Sequence, residues 1–334
     1  MKNSKEFLWY LFANTPGFGV KSIHYIYEIL MANNMTVNNL FAMKADELCH
    51  FFPEIGQRKF SKADFFNFPS LDNNQLYDNF LHLKNNDISI IGLDDERYPK
   101  SVKENMKDIA PPVLYCKGQS LLLQKKGISI VGARDVNDYE VNLTKKIAYQ
   151  LAENKINVTS GYAKGVDTAA HTGALEAHGT TTMILSFGTN HISIKREIQN
   201  FEWKQNALFV TQFAPYEKFS GHNAMTRNKL VCAMSDAIVV IKSGVERGVD
   251  GKMSGTFDAG KSALQMGIPV FVLSPHKLKS ISQGNIDLIK LGGMEISNEY
   301  DIVDYLNKPK MSNDKQPDYF QHGRTHSQYQ LSLF

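Results

Sequence analysis

From Ser160 to Leu175 the chain reads SGYAKGVDTAAHTGAL, a run made almost wholly of small, polar and charged residues. Gly161 and Gly165 flank Lys164 where the β-rich run Ile156–Ser160 ends and helical spacing begins. Backbone N–H groups and one ammonium can therefore converge on a single anion, a geometry that suits phosphate. Ser160 closes that candidate strand. Asp167 and His171 fall on consecutive helical turns, the first placed to brace the loop and the second to contact it. Three other segments have related chemistry. Residues 128–134 (ISIVGAR) form an apolar strand ending in Gly132, with Arg134 two positions on able to fork around a phosphate and Asn137 or Asp138 able to cap the next helix. In residues 221–229 (GHNAMTRNK), Arg227, Asn228 and Lys229 sit at a helix start, where the macrodipole disfavours cations unless an anion is near. Residues 252–256 offer Ser254, Gly255 and Thr256 as small N–H donors before another helix. The glycines do not form GxGxxG, so dinucleotide binding gets little support.

These loops need a scaffold that brings them to one edge. Short β-rich runs recur at Ile88–Gly92, Val113–Lys117, Ile128–Val131, Ile156–Ser160, Thr181–Ser186, Leu208–Thr211, Ala237–Ile241 and Pro269–Leu273. Between them lie amphipathic stretches such as Leu143, Ile147 and Leu151. This alternation predicts an α/β fold with a Rossmann-like, mostly parallel sheet, whose ligands collect at the carboxyl ends of its strands. Residues 1–84 instead carry helical spacing, as in Ile23, Ile26, Tyr27 and Leu30, and predict a small helical domain ahead of a core at 85–306. Its two glycine turns, at residues 16–22 and 53–59, resemble helix-hairpin-helix elements and are equally read as plain helix connections. Residues 307–334 are polar, have little to bury and read as a flexible tail.

Composition bounds the function classes. A hydrophobic content of 43% with 21% charged residues is that of a globular chain, and 37 basic against 34 acidic residues give only +3, so any anion site must be local. Cys49, Cys116 and Cys232 lack CxxC spacing, which argues against a disulfide framework or a zinc site. No apolar run is long enough for a membrane span and the start lacks a leader pattern, so the cytoplasm is the expected compartment. No cofactor or metal is called for.

Taken together, the segments resemble the DNA-processing protein A (DprA/Smf) family, whose signature SGxAxGxDxxAHxxAL is met at every fixed position from Ser160 to Leu175. Further matches follow in order: residues 97–99, 111–118, 131–134, 227–229 and 254–256, then Gly284, Asn285, Leu288, Ile289 and Gly292. The resemblance implies an extended Rossmann-like fold, single-stranded DNA as ligand, a homodimer, and help in loading the recombinase RecA during DNA uptake or recombination. It departs from the usual pattern at Ala133, Lys164 and Lys229, where serine, arginine and arginine are commoner, and lysine gives a point charge where arginine gives a fork. No winged-helix domain is expected within residues 307–334, which are too few to hold one. The segment 243–252 is longer and more charged than the pattern leads one to expect. Related Rossmann-like folds sense nucleotides or hydrolyse their glycosidic bonds, using a PGGxGTxxE motif. Here residues 254–258 (SGTFD) lack its double glycine and its glutamate, leaving Asp167 and His171 as the remaining acid–base candidates and a non-enzymatic role as the expectation. The final residues, Gln330-Leu331-Ser332-Leu333-Phe334, resemble the peptide that binds the bacterial β sliding clamp: Gln330 can bond at a pocket rim while Leu331, Leu333 and Phe334 fill apolar pockets.

Overall fold

Nine strands form one sheet in a computed structural model that describes residues 4–52, 74–249 and 251–307. The turn at 53–59 and the terminal peptide 330–334 lie outside those residues. The strands are β1 Ile88–Gly92, β2 Val113–Gly118, β3 Gly127–Val131, β4 Asn157–Gly161, β5 Thr181–Ile184, β6 Ala207–Thr211, β7 Ala237–Val240, β8 Val270–Leu273 and β9 Met294–Ile296. Their spatial order is β1-β2-β6-β5-β4-β3-β7-β8-β9. From β6 across to β9 every pairing is parallel, while β1 and β2 extend the β6 edge antiparallel. The mostly parallel Rossmann-like sheet expected from the sequence is present. Strands β3 to β8 are buried along their whole length; β6, β7 and β8 are accordingly spelled as nearly unbroken apolar runs, whereas β4 (NVTSG) and β5 (TTMI) bury small polar residues as well. Strand β9 was not expected: of its three residues only Ile296 is buried, so it leaves no such run.

Before the sheet come helices α1 Lys5–Asn14, α2 Val20–Ala32, α3 Val37–Ala42, α4 Ala45–Phe51 and α5 Asn74–Asn85, with no strand among the described residues of this region. Their aromatic content has a packing reason. Trp9 covers Gly92 at the end of β1 so closely that a Cβ there would lie 2.4 Å from the indole ring, and the indole N–H donates to Asp94. Tyr10 meets Tyr115 of β2 edge-on, and Asn14 donates to the Tyr115 hydroxyl at 2.7 Å. The helical region and the antiparallel edge thus share one core, in which each fully buried large side chain contributes roughly 1.5–3 kcal/mol. The first glycine turn does join two helices, with Gly17 at φ +95° and Gly19 as the N-cap of α2.

The remaining helices cover the two faces: α6 Lys100–Met106, α7 Asp138–Glu153, α8 Val166–Glu176, α9 Arg196–Gln199, α10 Trp203–Asn206, α11 Gly221–Ala233, α12 Gly255–Gln265, α13 Gln283–Lys290 and α14 Asp301–Asn307. Helix α8 is buried on nearly every side because its residues are small. At Gly173 the backbone of α7 passes so near that a Cβ would meet the Lys145 carbonyl at 2.4 Å. Cys116 and Cys232 are buried thiols, and burial pushes both up to about 12. Among the described residues no cluster could hold a metal ion, and no helix is long and apolar enough to cross a membrane.

Candidate functional site

Strand β3 sits where the sheet's connections change direction, with β4 on one side and β7 on the other. In doubly wound sheets that switch point opens a crevice at the strands' carboxyl ends. A cleft of about 830 Å³ lies there, lined by Gly132, Arg134, Gly161, Asp167, Arg227, Asn228, Gly255 and Thr256 among others. Eight residues singled out from four separate sequence segments are therefore neighbours.

Hydrogen bonds and close packing lock the loops around the cleft to one another. The Ala133 N–H donates to the Lys242 carbonyl after β7, at 2.9 Å, and the Val166 N–H donates to Ala133. Gly165 has φ +75°, and a Cβ there would strike the carbonyls of Arg134 and Ala133 at 2.5 and 2.6 Å, so only glycine fits. Asn137 caps α7 through its side chain in a capping box with Glu140. Glu140 is fully buried and pairs with Lys242 through both its oxygens, at 3.1 Å.

Beneath the glycine turn lies a buried ion pair. The Arg227 guanidinium stands 3.8 Å from Asp167, and its Nη1 also donates to the Ile184 carbonyl at 3.2 Å. Both side chains are less than a tenth exposed. Gly161 makes this possible, since a Cβ there would fall 1.5 Å from the Arg227 Nη1. Asp167 also accepts the Ala163 N–H at 3.2 Å and so braces the loop, as the spacing suggested. Burial pushes the Arg227 pKa down, Asp167 opposes that, and the nearby charge of Arg134 adds to it. The Arg227 Nε is buried and has no hydrogen-bond partner among the described residues.

Other expected residues stand elsewhere. Ser160 and His171 do not reach the cleft. Ser160 is fully buried and donates to the Ile130 carbonyl at 2.6 Å, pinning β4 to β3. His171 is also fully buried, with Nδ1 2.7 Å from the Thr181 hydroxyl and Nε2 on the Gly161 carbonyl. Burial depresses its pKa to about 3, so the ring is a neutral prop beneath the turn. Both ring nitrogens are engaged, and Asp167 is held by Arg227 and the Ala163 N–H. Lys229 is exposed in the middle of α11, not at its start, and acts on Asp258, whose pKa burial raises while Lys229 and Lys261 lower it. Ser254 caps α12, accepting the Phe257 N–H at 3.3 Å, and Asn228 donates to the Gly255 carbonyl at 2.9 Å, holding that helix start against α11.

Lys164 is exposed and lines a neighbouring depression with Gly165, Thr168, Lys195 and Arg196. Lys195 was not singled out from the sequence. Its ammonium bonds the Ala163 carbonyl at 2.7 Å and the Thr168 hydroxyl at 2.8 Å, 4.5 Å from the centre of the Tyr162 ring, and burial lowers its pKa. Phe219 was missed as well. It is half exposed at the cleft, with the Arg134 guanidinium 5.8 Å from its ring centre. Both residues lie on loops without periodicity, where no spacing signal marks them.

Fold and site together define a Rossmann-like protein with an arginine-bearing, glycine-floored cleft at its strand ends. The chain belongs to the DNA recombination-mediator protein A family, whose model matches residues 89–307. It is similar to the DNA processing protein DprA of Bacillus subtilis, at 25% identity over 221 residues, covering 66% of this chain and 71% of that one. A DprA-type relative from Mycobacterium tuberculosis is 28% identical over 205 residues, and the match spans only 50% of its length. Among solved structures, DprA from Streptococcus pneumoniae superposes with a TM-score of 0.71 at 21% identity, over 91% of this chain and 98% of that one. Helicobacter pylori DprA, described by its single-stranded DNA binding mode, gives a TM-score of 0.55 at 26% identity, over 66% of this chain and 95% of that one.

Proposed function

We propose that the cleft binds the sugar–phosphate backbone of single-stranded DNA and that the protein acts in DNA processing and recombination. The observation that carries this reading is Arg134 over the exposed Phe219 at the mouth of a glycine-floored cleft, with the unpartnered Nε of Arg227 in its wall. Cations that follow a backbone, beside an aromatic face on which bases stack, are the two components of sequence-tolerant strand binding. The name given to the Helicobacter pylori relative, a single-stranded DNA binder, supports it. In this reading Arg134 and Lys164 meet successive phosphates, and the turns Gly132–Arg134, Gly161–Gly165 and Ser254–Thr256 supply N–H donors. Asp167 and Arg227 hold the cleft's shape, and the role is binding rather than catalysis.

The wider role belongs to the same proposal: the protein delivers strands to RecA, works as a homodimer in the cytoplasm, and is recruited to the sliding clamp by Gln330–Phe334. A helical region at 1–84, a core at 85–306 and a tail from 307 would divide these tasks. Fluorescence anisotropy with a labelled oligonucleotide tests the central claim. Binding at low salt that weakens steeply with added salt, and that Lys164→Glu and Arg134→Glu each reduce at least tenfold, is the expected result. Absence of strand binding at low salt, or indifference to both charge reversals, overturns it. Deleting residues 330–334 should abolish clamp binding and leave strand affinity unchanged.

A further inference from the structure

After β7, residues 243–249 and 251–253 form an arm whose returning limb, Lys252 and Met253, lines the cleft. Arg247 and Met253 pair as an antiparallel bridge, the Gly248 N–H donates to the Lys252 carbonyl at 2.9 Å, and Gly251 turns the chain at φ +77°. The root of the arm is heavily fixed. The Ser254 N–H donates to the Glu246 carbonyl at 3.2 Å, and the Glu246 carboxylate pairs with Lys261 at 2.6 Å. Further back, the Ser243 N–H donates at 2.8 Å to the buried amide of Asn285. Gly244 and Gly284 touch so closely that a Cβ on Gly284 would lie 2.1 Å from the Gly244 carbonyl.

Its tip is the reverse. Val249 is 111% exposed, more than any other large apolar residue described, and Met253 is 49% exposed while lining the cleft beside Lys252. A rigid root that holds an apolar tip in water, at the rim of a cleft with Arg134 and Phe219 in its wall, gains nothing for the fold itself.

We propose that this arm is a strand-selecting wedge, in which Val249, backed by Met253, packs against the faces of unpaired bases beside the cleft and so favours single strands over duplex. The inference rests on the DNA-binding reading above. An apolar wedge is accepted where base faces are open or readily unstacked. A closed duplex turns charged phosphates toward the same tip and leaves Val249 nothing apolar to cover it.

The experiment compares wild type, Val249→Ser, Met253→Ser and the double variant. It measures anisotropy with a labelled oligothymidine and with a mixed-sequence duplex of equal length, at two salt concentrations. Because Val249 is fully exposed among the described residues, its substitution should leave folding intact. The expected result is a fall of about fivefold to tenfold in the single-over-double preference of the double variant, carried by weaker single-strand binding. Arg134→Ala should weaken both ligands and leave the ratio nearly unchanged. A ratio equal to wild type while single-strand binding persists overturns the wedge and leaves the DNA reading standing. So does a Val249→Ser effect confined to self-association in sedimentation. Failure of the wild type to bind either ligand removes both.

Discussion

Replacing Asp167 by asparagine preserves its volume and removes its charge, leaving the Arg227 guanidinium buried against a neutral amide. At their 3.8 Å separation, two unit charges interact by about 4 kcal/mol at an effective dielectric constant near 20. Measured losses on breaking buried pairs run at about 3–5 kcal/mol, because the remaining ion keeps its desolvation cost. Asp167→Asn should therefore destabilise the protein by roughly 3–4 kcal/mol, read as a lower denaturant midpoint in urea unfolding followed by circular dichroism. The same reasoning predicts the outcome of removing both charges. Asp167→Leu combined with Arg227→Met should recover most of that loss, to within about 1 kcal/mol of wild type, since neither partner is left alone. Strand affinity should not recover, because the cleft wall has lost its guanidinium. An Asp167→Asn loss below about 1 kcal/mol, or a double variant no more stable than the single one, would refute the claim that the turn rests on a buried ion pair.

Further predictions follow from neighbouring groups. His171 is held near 3 in the fold but titrates near 6.5 in the unfolded chain, so below pH 6.5 the unfolded state binds the extra proton. Its contribution is complete above about pH 7 and is lost as pH falls from 6.5 toward 3, at up to roughly 1.4 kcal/mol per unit; His171→Gln should flatten that part of the stability profile, and parallel profiles between pH 7 and 5 would rule the account out. The Asn285 side chain donates to the Ile241 and Leu273 carbonyls at 2.9 and 2.8 Å and accepts from the Ser243 N–H and the Ser282 hydroxyl. Asn285→Leu should cost roughly 3–5 kcal/mol, visible as a lowered unfolding midpoint. On single strands, Arg134→Ala and Lys164→Ala should each make the log–log salt dependence of binding shallower by about 0.7, one phosphate contact apiece; an unchanged slope would take that residue off the backbone path.

What the sequence disclosed follows from how each feature is encoded. Strands β3 to β8 are covered on both faces and appear as short runs of apolar and β-branched residues, each placed within a residue or two of its observed start. The glycine turn was legible because close backbone approach and positive φ leave only small residues, as Gly161 and Gly165 show. Side-chain direction was not legible. Spacing put His171 one helical turn after Asp167, yet the first faces the sheet and the second the cleft wall. Arg227 read as an anion-facing cation at a helix start, whereas it lies in the middle of α11 and faces Asp167, 60 residues earlier in the chain; nothing local announces an ion pair of that span. Phe219 and Lys195 depend on how loops fold back, which neither period records.

The central position of β3 also sets an order of events during synthesis. Its near partner β4 follows closely, but β7 pairs with it only much later, and the Gly127 N–H finds the Asp236 carboxylate 109 residues downstream. The cleft is not complete until after that return, because the Gly255 helix start that closes it follows β7. A nascent chain still attached to the ribosome therefore carries the signature turn long before it has a cleft. Truncated products that end before β7 should expose the flank of β3 as an unpaired edge, making them prone to aggregate.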